Sequence, residues 1–167
     1  KFDGLILEFG VSGGKSLKYI SKIIKDKNIY GFDSFEGLPE DWRDGFKKGI
    51  FARNGKIPVF NSNVKLRKGW YDESIPIFIK EIVKNKKESI SYMHVDCDLY
   101  SSTKTIFDLL GDRIKTGTVI VFDEYFNYAG WQLGEYKAFQ EFLKQRNLSY
   151  EYLTYCNCEC QVAVRIT

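Results

Sequence analysis

The stretch Glu8-Phe9-Gly10-Val11-Ser12-Gly13-Gly14-Lys15-Ser16, EFGVSGGKS, decides the fold. It follows the apolar run Gly4-Leu5-Ile6-Leu7 and leads into Leu17-Lys18-Tyr19-Ile20. A strand therefore enters a glycine turn and leaves it as a helix. Outward from this turn the same rhythm continues. Strand-like runs cover 5–9, 29–32, 63–66, 90–95 and 118–122, and helix-like runs cover 15–25, 75–84, 102–114 and 135–145. Leu17, Ile20, Ile23 and Ile24 are read as one face of the first helix. Strands alternating with helices predict right-handed βαβ crossovers, hence a mostly parallel sheet with helices on both faces. The segment 149–166 reads as two strands with no helix between them, an antiparallel hairpin at a sheet edge. The segment 34–61 is a long loop rich in Gly, Pro and aromatics, of a length that is usually functional or mobile.

Two ligands suit such a turn. Gly14-Lys15-Ser16 looks like the end of a P-loop, and Val119-Ile120-Val121-Phe122-Asp123-Glu124 looks like a magnesium-binding strand of an ATPase. The P-loop needs four residues between its first Gly and the Gly-Lys pair. Here three separate Gly10 from Gly14, and the position that should be Gly is Phe9. The other ligand is a nucleoside without phosphate, held beyond the carboxyl ends of the strands where strand order reverses. The second strand ends in Tyr30-Gly31-Phe32-Asp33. Asp33 lies roughly 20 residues past the turn, where an acid accepts the ribose hydroxyls. Glu8 would repel a pyrophosphate and instead suits an ammonium group. S-adenosylmethionine (SAM) carries a ribose, an ammonium, a sulfonium and no phosphate.

The later strand ends are acidic. Asp96 follows the fourth strand, and Asp123 and Glu124 follow the fifth. If those strands are neighbours, their ends lie about 5 Å apart. Three carboxylates with no Lys or Arg between them in sequence call for a hard cation, and oxygen ligands suit magnesium. Asp98 reads as a capping or structurally hydrogen-bonding residue, and Ser101 and Ser102 read as caps of the helix that follows. His94, inside an apolar strand two residues before Asp96, reads as a core or supporting residue.

The chain of 167 residues suffices for one domain. A net charge of +3 with scattered basic residues gives no argument for nucleic acid. No apolar run is long enough to span a bilayer and no signal-peptide pattern opens the chain, so a cytoplasmic protein with reduced thiols is expected. Cys156, Cys158 and Cys160 are spaced too closely for an ordinary zinc site. Lys1-Phe2-Asp3 precedes the first strand directly, so the expectation is a single domain over 1–167 without an N-terminal lid segment.

These residues resemble the macrocin O-methyltransferase family, class I SAM-dependent enzymes that tailor sugars and antibiotics. The matching segments are EFGVSGG (8–14), GFDSFEGLPE (31–40), KGWYDESIP (68–76), HVDCDLYSSTKT (94–105), GTVIVFDEYFNYAGW (117–131) and GEYKAF (134–139). The resemblance implies a Rossmann-like class I methyltransferase fold, with a seven-stranded, mostly parallel sheet whose last strand is antiparallel. It implies SAM on Gly10, Ser12, Gly13, Asp33 and the adjoining Ser34, with Gly69, Trp70, Tyr71 and Asp72 bordering the adenine. The first loop is also similar to that of catechol O-methyltransferases. By that likeness Glu8 takes the methionine ammonium and Ser16 the carboxylate. Magnesium is implied on Asp96, Asp123 and Glu124, where relatives often carry Asp or Asn in place of Glu124. The lysine base of the catechol enzymes is replaced here by Leu99.

The expected reaction is methyl transfer from SAM to a hydroxyl of a sugar, a glycosylated natural product or a glycan. Asp96 is expected to accept the proton, directly or through water. Trp42, Phe46, Phe51, Tyr125, Tyr128 and Trp131 are candidates for the acceptor pocket. The expected partner is thus a small-molecule or glycan acceptor, without nucleic acid or membrane; a homo-oligomer is compatible with the sequence. A P-loop-like ATPase and a catalytically inactive binding domain of the same fold are the alternatives.

Overall fold

The computed structural model describes residues 3–54, 56–82 and 88–167. Its strands are β1 (Leu5–Phe9), β2 (Ile29–Asp33), β3 (Val64–Lys68), β4 (Ile90–Val95), β5 (Val119–Phe122), β6 (Tyr150–Tyr155) and β7 (Val162–Ile166). The α-helices are α1 (Lys15–Ile23), α2 (Tyr71–Ile82), α3 (Tyr100–Leu110) and α4 (Glu135–Arg146). The strands form one seven-stranded sheet in the order β3-β2-β1-β4-β5-β7-β6. Only β7 opposes its neighbours; β1 pairs parallel with β2 and β4, and β4 with β5. This is the sheet the alternation predicts. Chain order reverses between β1 and β4, so the ends of these two strands mark the crevice of a doubly wound sheet.

Every residue of β1 is buried, as expected of a central strand covered on both faces. Leu5, Leu7 and Phe9 face one core with Phe32, Phe78, Val95, Phe107, Phe122 and Phe139, beneath α2, α3 and α4. Ile6 faces a smaller core with Val11, Leu17 and Ile29, beneath α1. Glu8 shares the parity of Ile6 and so ends the α1 side of the strand.

Several expected boundaries shift. The helix read over 75–84 begins at Tyr71, and its expected end at Lys84 lies outside the described residues. The helix read over 102–114 begins at Tyr100, and its last part is a short 3₁₀ turn, Gly111–Arg113. Extended Leu99 is its N-cap, without a side-chain cap. Ser101 and Ser102 therefore lie inside the helix and are not its caps, and Asp98 does not cap it either. Ile23 is not on the buried face of α1: it is 65% exposed, and Ser21 is buried instead. Leu17, Ser21 and Ile24 follow the helical spacing, whereas Ile23 falls outside that stripe.

The glycine turn is fixed by a backbone contact. Gly10 has φ 89°, and a Cβ there would stand 1.6 Å from the carbonyl oxygen of Asp96. Its N–H donates to the carbonyl of Phe32, and the Asp96 N–H donates to the carbonyl of Phe9. Gly45 also has positive φ, but no atom of the described residues lies within 4 Å of its Cβ position. Gly10→Ala is therefore expected to destabilise the protein by more than about 3 kcal/mol, and Gly45→Ala by about 1–2 kcal/mol. Urea unfolding of the two variants measures both; similar losses would refute the close approach.

Candidate active site

A cavity of about 750 Å³ opens at the reversal point. Among the residues expected to hold the cofactor, Gly10, Ser12, Asp33, Ser34, Gly69, Trp70, Tyr71 and Asp72 line it. Asp33 ends β2, and its carboxylate accepts the N–H of Ser12 at 2.6 Å on Oδ2 and the N–H of Phe35 at 2.6 Å on Oδ1. Each oxygen has two lone pairs, so one remains on each for a ribose hydroxyl. Gly69 carries φ 134° and donates its N–H to the carbonyl of Asp33, which ties the 69–72 wall to the end of β2.

Glu8, Gly13 and Ser16 are placed differently; none of them lines the cavity. Glu8 is fully buried below the turn. Its Oε1 accepts the Ser16 hydroxyl at 2.9 Å, and its Oε2 lies 3.4 Å from Nδ1 of His94. The pairing of β1 with β4 sets Glu8 beside His94. The other ring nitrogen, Nε2, lies 3.9 Å from Asp123. Burial alone lowers the His94 pKa, but Glu8, Asp96 and Asp123 together raise it. His94 thus links the base of the glycine turn to the acidic strand ends.

The acidic ends do converge. His94, Asp96 and Asp123 each present a ligand atom within 4.8 Å of the others. The third member of this group is His94, not the expected Glu124. Glu124 lines the cavity beside Asp96 and Asp98, and its Oε2 is buried without a hydrogen-bond partner among the described residues. Burial and the charge of Asp123 push the Asp96 carboxyl up to about 7, although His94 pulls it down. Burial and Glu135, with Asp98, Asp123 and Asp96, push Glu124 up to about 12. Carboxylates crowded to this degree, one with an orphaned oxygen, are a donor set that fits a divalent cation.

Glu135 belongs to this cluster and escaped the sequence reading. It is fully buried at the start of α4, with its carboxyl pKa raised, chiefly by burial. Its Oε1 accepts the N–H of Cys97 at 3.3 Å and its Oε2 the N–H of Glu124 at 3.2 Å, so it clasps the ends of β4 and β5 together. The signal was present: Glu135 occupies the buried stripe of α4 with Ala138, Phe139, Phe142 and Leu143.

The aromatic candidates divide. Trp42, Phe46, Phe51 and Tyr128 form one cluster through ring contacts of 5.1 to 5.8 Å, and Phe51 lines the cavity. Tyr125 does not reach the pocket; it is buried in the core against Phe122. Trp131 packs on Tyr136 at 4.8 Å and does not line the cavity. Cys156, Cys158 and Cys160 lie as free thiols in the turn between β6 and β7. No helix among the described residues is long and apolar enough to cross a membrane.

A family model described as a methyltransferase domain matches residues 7–125. Demethyldecarbamoylnovobiocin O-methyltransferase from Streptomyces niveus is 24% identical over 113 residues, 61% of this chain and 43% of that protein. The chain therefore spans less than half the length of this curated relative. The crystal structure of a calicheamicin methyltransferase superposes with a TM-score of 0.78 at 23% identity, covering 98% of this chain and 72% of that one. A methyltransferase from the mycinamycin biosynthetic pathway, solved with Mg and SAH (S-adenosylhomocysteine), gives a TM-score of 0.59 at 13% identity, covering 98% and 45%.

Asp98 provides a test of the crowding. Burial and Asp123 push its carboxyl from 3.8 up to about 6, with Arg43 opposing. The folded state therefore holds this proton more tightly than the unfolded chain. The resulting stability is present below about pH 4 and is lost as pH rises through about 6. In chelator-treated protein, Asp98→Asn is expected to gain stability over the wild type across that window, by about 2–3 kcal/mol at pH 7. Urea unfolding at several pH values measures this difference; a difference that does not change with pH would contradict the burial of this charge.

Proposed function

Because the chain belongs to the methyltransferase-domain family, whose model matches residues 7–125, we propose that it is an O-methyltransferase moving a methyl group from SAM to a hydroxyl of a sugar, a glycosylated natural product or a glycan. The observation that carries this reading is the single cavity that joins Gly10, Ser12 and Asp33 to Asp96 and Glu124. A nucleoside seated on the first group has its far end beside the second. The names of the antibiotic-tailoring relatives support an acceptor of this kind. Family membership also removes the ATPase alternative, and the crowded acids argue against an inactive relative, in which nothing would favour keeping them together.

In this reading Asp33 accepts the two ribose hydroxyls, and Gly69, Trp70, Tyr71 and Asp72 border the adenine. Gly10 and Ser12 let the sulfonium end run close to the turn, with Gly13 above it. Buried Glu8 makes no contact with the ligand; it lies below the turn with Ser16 and His94, and Ser34 lines the ribose side. Transfer is an in-line displacement. The acceptor oxygen bonds to the methyl carbon as the carbon–sulfur bond breaks, and the bonding pair stays on sulfur. The hydroxyl proton passes to Asp96, directly or through water. Asp96 and Asp123, with Glu124 nearby, would hold magnesium, and His94 is a further group that could ligate it. When bound, such an ion lowers the pKa of a nearby hydroxyl and fixes its position. The cluster of Trp42, Phe46, Phe51 and Tyr128 offers flat apolar faces to a sugar ring.

Calorimetric titration with adenosylhomocysteine tests the cofactor half. The wild type is expected to bind it and to ignore ATP. Asp33→Ala is expected to weaken binding at least about tenfold, since two hydrogen bonds to a charged acceptor are lost. Absence of binding, or full affinity in Asp33→Ala, would refute the placement.

A further inference from the structure

The loop 34–61 does more than wall the cavity. Its residues Arg53, Pro58 and Phe60 lie against the glycine turn. A Cβ on Gly13 would have Cζ and Nη2 of Arg53 at 3.9 Å and Nη1 at 4.0 Å. Three atoms at nearly one distance mean that the guanidinium lies flat over Gly13, which leaves its N–H edges free. At Gly14 a Cβ would meet the ring of Phe60 at 2.4 Å and Pro58 at 3.4 Å.

The backbone holds Arg53 in place. Its N–H donates to the carbonyl of Phe35 at 3.1 Å, and its own carbonyl accepts the N–H of Lys56 at 2.9 Å. Phe35 is buried and donates its N–H to Asp33. The cation over the turn is thus tied to the acid at the end of β2. Arg67, Arg146 and Arg165 each pair with a carboxylate. Among the described residues the Arg53 guanidinium has neither an ion pair nor a hydrogen-bond acceptor.

The residue expected to receive the cofactor's carboxylate cannot offer its proton. The Ser16 hydroxyl donates to Glu8 at 2.9 Å. The carboxylate at the amino-acid end of SAM therefore needs another donor near the turn. We infer that Arg53 binds this carboxylate above Gly13, so that the long loop, and not the strand ends alone, selects a nucleoside carrying an amino acid. This rests on the cofactor reading above and assigns a residue to it. The planar fork suits a carboxylate, and charge-assisted bonds of this kind are strong enough to discriminate between ligands.

Two ligands separate the roles. Adenosylhomocysteine carries the carboxylate; 5′-methylthioadenosine keeps adenine, ribose and sulfur but lacks the amino-acid end. Calorimetry of the whole chain is expected to show that Arg53→Ala and Arg53→Gln weaken adenosylhomocysteine roughly tenfold and leave methylthioadenosine unchanged. Arg53→Lys should recover part of the loss. Arg53 is exposed, so these variants are expected to fold. Equal weakening of both ligands would make Arg53 a support for the loop only, and unchanged affinity for both would place the carboxylate elsewhere; either result overturns the assignment. A wild type that binds neither nucleoside overturns the cofactor reading itself, which tells the two failures apart.

Discussion

The contact between Gly10 and the carbonyl of Asp96 is the constraint from which the site follows. Two neighbouring parallel strands end at the same level, and the chain leaving β1 must pass against the chain leaving β4. Only a residue without a side chain passes, since a Cβ at position 10 would fall inside the carbonyl oxygen. The passage brings the turn that would cradle a nucleoside directly beside the first acid of the cluster. The hydrogen bonds from Gly10 to Phe32 and from Asp96 to Phe9 then hold β1 between its two neighbours. Cofactor cleft and acidic cluster are thus consequences of one close approach.

That geometry is unfavourable electrostatically. Asp96, Asp98, Asp123, Glu124 and Glu135 come together at the ends of β4 and β5, and burial with mutual repulsion raises the pKa of Asp96, Asp98, Glu124 and Glu135. Glu135 offsets part of the cost by accepting two backbone N–H groups. No such compensation reaches Glu124, whose Oε2 has no partner among the described residues. A protein selected for stability alone would replace these acids with apolar residues. Their place at and beneath the wall of a cavity that Asp33, Asp96, Asp98 and Glu124 line is intelligible if a cation and a polar substrate complete the site.

Much of this was legible in the sequence because it depends on local pattern. The strand–glycine–helix signal placed β1 and α1, and the apolar runs placed the other strands. Asp33, Asp96 and Asp123 could be found because each stands at a strand end, where topology alone determines the neighbours. What escaped depends on side-chain direction. Glu8 was assigned to the ligand, yet its parity turns it beneath the turn toward α1 and His94. Ile23 was assigned to the core, although a residue between two apolar positions need not share their face. Glu135 looked like an ordinary first-turn acid; only the stripe it shares with Phe139 and Phe142 marks it as buried. Arg53 lies in a loop without periodicity, so nothing local brings it to the glycine turn.

The most direct measurement is thermal unfolding of chelator-treated protein against added Mg²⁺ or Mn²⁺, for the wild type and for the Asp96→Asn, Asp123→Asn double variant. The wild type should be stabilised as the ion saturates, by about 2.7 kcal/mol at one hundred times its dissociation constant. The double variant should be the more stable of the two without the ion and should not respond to it. A wild type indifferent to both ions, or a double variant stabilised as much as the wild type, would contradict a cation site among these acids.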